Sequence, residues 1–377
     1  MNWELLLQRP SFDLRRSGRF LVADLKTAHQ VLSTSVRNGG QVDHLRYLLN
    51  HQSCEGAAHH DRHNAISEGG LDAYHDRVCM EVPLPARETA VMGTAANMNY
   101  AAVSSETDEG LTVTAVVTAG VEGNATAAGE PATWRETESG IEKVPAYAGT
   151  INTILIVDRP LTPAALARVA VTMTEGKSAA LQRLAVPSKL HIDLATGTGT
   201  DQYCIAAPSS GARPLTSASP HMKLGELVGL AARNATMEAL RWQNGLEVSY
   251  TRGVFHALGR YGVKEATLFE DIAPFLGEAD LELLKRNSKA AFYEPLVGAA
   301  AHALATMCDR VRYGTIPQTV AADAMVQQAA ALAANLAAQV HRWAEFRAIL
   351  QPHANGDVKT LAVRALALGW SEKWRTG

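Results

Sequence analysis

Apolar and polar positions along this chain follow two different periods. Between residues 19 and 35, RFLVADLKTAHQVLSTS, short runs rich in Val, Leu and Phe predict two strands joined by a turn near Lys26. The segment ends at Arg37-Asn38-Gly39-Gly40, where Asn-Gly marks a turn because both residues tolerate positive φ. Residues 111–121, LTVTAVVTAGV, predict a β-branched strand that stops at the small residues between Gly120 and Gly129. A polar loop from Glu130 to Lys143 follows, and after Gly149-Thr150 the run INTILIVD predicts a buried strand ending at Asp158. Thr162 as N-cap and Pro163 in the first turn then predict a helix along which Leu166, Ala170, Met173, Lys177 and Leu181 recur at helical spacing. The string ATGTGTD, residues 195–201, is a hydroxyl-rich turn before the apolar run QYCIAA.

Strands alternating with helices predict an α/β or α+β layered sandwich core, followed by an α-helical C-terminal extension. The change of character comes after HMKLGEL, residues 221–227, where Ala-rich helical spacing takes over. There Leu332, Leu336, Val340, Trp343, Phe346 and Leu350 advance by three or four and give one apolar face. The expected division is a core domain over 1–235 and a helical domain or extension over 236–377. The histidine-rich stretch from Asn50 to Met80 is expected to be a loop with short helical pieces, since its glycines interrupt any long period.

Apolar residues make up 47% and charged residues 19% of the chain, with a net charge of -3, as in soluble globular proteins. Without a basic excess, nucleic acid and anionic membrane surfaces are not expected partners, and no apolar stretch approaches membrane-spanning length. The four cysteines are scattered and form no CxxC pair, which argues against a disulfide framework or a thiolate zinc site. The amino terminus lacks a basic start and a small-residue cleavage site, so a cytoplasmic protein acting on a small molecule is expected. The apolar face around Trp343 is a candidate homo-oligomer seam, beside its simpler use in core packing.

Taken in order, LSTSVRNGG, VTAGVEGNATAAGE, GTINTILIVDRPLT, EGKSAALQRL, ATGTGTD and HMKLGEL resemble the adenosylcobinamide amidohydrolase family over roughly residues 15 to 235. The resemblance implies hydrolysis of the amide joining an aminopropanol group to a corrin side chain, giving adenosylcobyric acid in corrinoid salvage. The corrinoid is then a substrate and not a cofactor. More locally, residues 149–161 resemble the self-processing β-aminopeptidase and ornithine acetyltransferase group, in which a glycine precedes a Ser or Thr nucleophile at the start of a strand.

Amide hydrolysis needs an activated nucleophile, oxyanion stabilisation and a proton for the leaving amine. Thr150 is the candidate nucleophile, and its own amino group, freed by cleavage of the Gly149–Thr150 bond, is a candidate base. Asn124 and the backbone around Gly120, with Asn38 and Gly39, are candidates for an oxyanion hole or for holding substrate amides. Asn97, Asn99 and Asn152 are candidates of the same kind. Thr198, Thr200 and Asp201 can close over the nucleophile, with Asp201 orienting a donor, and Lys177 is a candidate base or acid. The simpler readings are a threonine loop bonding its own backbone and a solvated helix face.

His59 and His63, four residues apart, would share a helix face and form a candidate divalent-metal site, although HExxH is absent and the sequence requires no cofactor. His221 belongs to HMKLGEL with no role assigned. Two other functions stay open: a hydrolase or acyltransferase for a different small amide, and a non-catalytic corrinoid-binding protein.

Overall fold

In chain order the elements are β1 (Glu4–Gln8), β2 (Phe12–Ser17), β3 (Phe20–Leu25), β4 (His29–Ser33), β5 (Gly40–Val42), β6 (Tyr47–Gln52) and α1 (His59–Glu81). Then come β7 (Thr89–Thr94), β8 (Ala102–Asp108), β9 (Leu111–Gly120), β10 (Ala125–Thr126), β11 (Trp134–Thr137) and β12 (Gly140–Lys143). The last elements of the first unit are β13 (Thr150–Val157), α2 (Pro163–Arg183), β14 (Gly197–Thr198), β15 (Gln202–Pro208) and α3 (Lys223–Asn244). This computed structural model describes the backbone of residues 1–54, 59–132, 134–138, 140–143, 150–373 and 375, with all their side chains except those of 59–69, 134, 136, 137 and 140–143.

The chain divides into two units, Met1–Leu246 and Glu247–Gly377. The boundary expected between residues 235 and 236 falls inside the continuous helix α3, because the small-residue helical spacing that suggested it begins before the sandwich has finished.

The first unit is a four-layer sandwich, and strand alternation explains the layers. One sheet has the order β1-β2-β3-β6-β7 and the other β5-β4-β15-β13-β9-β8. Leu21, Ala23 and Leu48 of the first sheet meet Val116, Ile154 and Ile156 of the second in one buried core. The opposite face of the first sheet, through Phe20, Val22 and Leu49, packs on Tyr74 and Val78 of α1. The opposite face of the second, through Val117, Leu155 and Ile205, packs on Leu166 and Val169 of α2 and on Val228 and Ala231 of α3.

Every residue of β13 is buried, since it pairs antiparallel with β9 on one side and parallel with β15 on the other. Burial on all sides accounts for the apolar run at 154–157, while Thr150, Asn152 and Thr153 are buried polar residues. Thr162 caps α2 as expected, its hydroxyl accepting from the Ala165 N–H at 3.3 Å.

Two expectations change in detail. The strands flanking Lys26 form no hairpin: β3 lies in the first sheet and β4 in the second, so the turn carries the chain between layers. The stretch expected to be mainly loop contains helix α1, interrupted at Gly70, where φ is 76°.

The second unit is helical around a core that includes Phe292, Leu304, Leu332, Phe346 and Leu366. The apolar face running from Leu332 to Leu350 belongs to two helices, Gln318–Ala337 and Trp343–Leu350, separated at Ala338, where φ is 57°. Leu332, Leu336, Phe346 and Leu350 are buried, whereas Val340, in the break, is 60% exposed. Trp343 packs on this core and its indole N–H donates to the Gln327 carbonyl at 3.1 Å. Among the described residues no helix is long and apolar enough to cross a membrane.

Candidate active site

Polar residues from four of these strings meet where β13 begins. Thr150, in register with Gly120 of β9, opens the strand and is 4% exposed. It shares the strand face of Asn152, Ile154 and Ile156, directed toward the first sheet. Its hydroxyl donates to the Thr200 carbonyl at 2.8 Å and is also bonded to the Thr200 hydroxyl. Asn124 donates from Nδ2 to that same Thr200 hydroxyl at 3.4 Å. A short chain of bonds therefore links an amide donor, a rim hydroxyl and the Thr150 hydroxyl.

Asp201 organises the turn. Its Oδ1 accepts from the Ile151 N–H at 3.0 Å and from the Thr198 hydroxyl at 2.5 Å. Its Oδ2 accepts from the Thr198 N–H at 3.1 Å and from Lys177 Nζ at 2.5 Å. A carboxylate gripping the residue after Thr150, the threonine turn and helix α2 fixes all three relative to one another. Glycine makes this geometry possible: a Cβ on Gly197 would lie 2.5 Å from Asp201 Oδ2 and 2.8 Å from Lys177 Nζ.

The turn is fastened to its neighbours at several points. β10 pairs with β14, the Ser178 hydroxyl of α2 donates to the Thr196 carbonyl at 2.9 Å, and the Ala128 N–H donates to the Thr196 hydroxyl at 2.8 Å. Glu130, the last residue of VTAGVEGNATAAGE, accepts through Oε2 from the Thr126 hydroxyl at 2.7 Å, the Ala127 N–H at 3.1 Å and the Ser188 hydroxyl at 2.8 Å. This role was not legible in the sequence, although the residue ends one of the strings.

Below Thr150 a polar ladder enters the space between the sheets. Asn152 donates from Nδ2 to Asn50 Oδ1 at 2.9 Å, and Asn50 donates to the Thr118 hydroxyl at 2.7 Å. All three residues are at most 2% exposed. Asn50 and Thr118 are new to the site, and their signal in the sequence is a polar residue at an inward position of an apolar strand. Gln202, also new, accepts the Gly93 N–H at 3.0 Å through Oε1.

The structure thus brings together Thr150, Asn124, Lys177, Asp201, Thr198, Thr200, Gly120 and Asn152. Asn97 and Asn99 form a neighbouring turn, in which the Asn97 side chain accepts the Asn99 N–H at 2.8 Å while the Asn97 N–H donates to Gln243 Oε1 at 2.9 Å. Asn38, in the left-handed region at φ 59°, donates from Nδ2 to the carbonyls of Ala86 and Thr89, each at 2.9 Å. With the Ser35 hydroxyl, which accepts the Val91 N–H at 3.0 Å, it covers the free edge of β7. Gly39 fits because a Cβ there would overlap the Ser35 carbonyl oxygen.

His221 is exposed just before α3. The far end of that helix bonds Val121 and Asn97 near Gly120, so about 33 Å of helix separates His221 from the Thr150 end. Gly149 and the side chains of His59 and His63 lie outside the described residues. Among the described residues no group of three or more His, Cys, Asp or Glu is placed to hold a metal ion. The four cysteines are free and buried, and burial pushes the Cys204 thiol up to about 12.

Residues 7–248 match the adenosylcobinamide amidohydrolase family. The matched span is almost the whole sandwich unit, and the chain belongs to this family. It is also 31% identical over 237 residues to an uncharacterized protein of Methanocaldococcus jannaschii, with 60% of this chain and 88% of that protein covered.

Proposed function

We propose that the protein hydrolyses the amide between the aminopropanol group and the corrin side chain of adenosylcobinamide, giving adenosylcobyric acid, with Thr150 as nucleophile. The observation that supports this most is the convergence on Thr150 of residues from three separated matched strings, through Asn124, Lys177 and the threonine turn ending at Asp201.

In this reading Thr150 Oγ1 adds to the amide carbonyl and the C–N bond breaks. The amine leaves with a proton, and water then hydrolyses the Thr150 ester to the free acid. The hydroxyl points at a carbonyl oxygen, which is no base, so the proton acceptor is the Thr150 amino group released by cleavage after Gly149. Asn124 Nδ2, which donates to the Thr200 hydroxyl, serves the oxyanion. Asp201 and Lys177 hold the geometry. Buried free thiols suit a reducing compartment, and we place the protein in the cytoplasm.

The test is incubation with adenosylcobinamide followed by product mass, with the Thr150→Ala variant and intact-protein mass alongside. Product from the natural chain, none from the variant, and two fragments meeting at Thr150 are expected. Full activity of the variant would remove Thr150 as nucleophile. Binding without product would favour a corrinoid carrier. Turnover of simple amides but not of the corrinoid would favour a related hydrolase or acyltransferase, a reading encouraged by the helical unit beyond the matched residues.

A further inference from the structure

The strings IVDRPLT and HMKLGEL place residues at the end of the sandwich opposite Thr150. There Arg159, Arg213 and Lys223, with Leu111, Leu215 and Leu224, line a cavity of about 340 Å³, within the size range of small-molecule sites. Its walls are tied together: the Leu215 N–H donates to the Pro160 carbonyl at 2.9 Å and the Thr162 N–H to the Leu215 carbonyl at 3.0 Å. The loops that carry Arg159 and Arg213 are thereby held against each other.

The charge on these walls is only partly answered by protein. Lys223 meets Glu226 at 2.8 Å and Asp108 at 3.8 Å. Among the described residues Arg159 reaches only the Arg213 carbonyl, at 3.4 Å, and its buried Nε has no partner. Among the described residues neither Arg159 nor Arg213 has a carboxylate partner. Helix α3 starts on the same wall, and Met222 before it provides no side-chain cap. The positive end of its dipole therefore adds to the guanidinium field.

We propose that this cavity binds a phosphate monoester of a small apolar group. A tetrahedral dianion can use two guanidinium forks, an ammonium and first-turn amides at once, which is more donor capacity than one carboxylate needs. Leu111, Leu215 and Leu224 supply an apolar wall for the esterified group. The site is independent of the reading of Thr150.

Titration calorimetry of the full chain with phenyl phosphate, inorganic phosphate, benzoate and phenol tests this. Phenyl phosphate is expected to bind saturably, inorganic phosphate more weakly, and benzoate and phenol not at all. Arg213 is exposed, so Arg213→Glu is expected to keep the fold by circular dichroism while weakening phenyl phosphate at least about tenfold. Arg159→Gln is expected to act in the same direction. No saturable heat at millimolar phenyl phosphate, or unchanged affinity in a folded Arg213→Glu variant, would overturn the site. Equal binding of benzoate would overturn its assignment to phosphate, and equal binding of inorganic phosphate would overturn the apolar subsite.

Discussion

Each of the two units contains an ion pair at 2.5 Å, Lys177–Asp201 in the sandwich and Arg260–Asp309 in the helical unit. The second is closed. Arg260 grips Asp309 with both ends of its fork, at 2.6 and 2.5 Å, and the Tyr261 hydroxyl donates to the same carboxylate at 2.6 Å. Burial, with Asp309 beside it, holds the Tyr261 phenol well above its usual range.

The first pair is open. Lys177 spends one described hydrogen bond on Asp201, and the other donors to that carboxylate belong to the threonine turn and to the start of β13. A saturated guanidinium fork locks helices together. An ammonium with donors to spare, beside rim hydroxyls, can still respond to a substrate.

The strongest way to break this contrast is to remove the chemistry from the open pair's neighbourhood. Thr150→Ala is expected to lower adenosylcobinamide turnover on the order of a thousandfold or more while leaving thermal unfolding nearly unchanged, as measured by product mass and calorimetry. Asp309→Ala removes the carboxylate that Arg260 and Tyr261 share and is expected to cost about 3–5 kcal/mol in urea unfolding, with turnover per folded molecule preserved. If that variant lost activity while folded, the closed pair would not be purely structural.

Gly197→Ala sharpens the comparison more gently. The new Cβ must displace Lys177 or Asp201, so a fall in kcat of about a hundredfold is expected with a smaller change in stability. The smallest effect concerns a buried group with no ion pair among the described residues. Burial depresses the pKa of His29, whose Nδ1 lies 2.7 Å from the Thr27 carbonyl. The unfolded chain therefore takes up the proton first, and stability is expected to fall as pH drops below the ordinary histidine value of about 6.5. His29→Gln should flatten that part of the stability–pH curve, and an unchanged slope would assign it to another group.

Local features were legible because their causes are local. The Thr162 cap, the β-branched run of β9 and the apolar stretch 154–157 of β13 each follow from a few adjacent residues. The candidate site was legible as a set of strings, but its interior was not. A period of two says that Thr118 and Asn152 share faces with apolar neighbours, without saying which face turns toward Asn50.

By itself, then, the sequence determined the layered sandwich with its helical extension and the threonine-rich turns that accompany Thr150. These rest on propensity, capping and order along the chain. Only the tertiary structure decided that β3 and β4 part into different sheets and that Asn38 covers the edge of β7. It likewise placed His221 a helix length from Thr150 and divided the Leu332–Leu350 face between two helices. Such outcomes depend on which layers pack together, and that is settled by contacts between residues far apart in the chain.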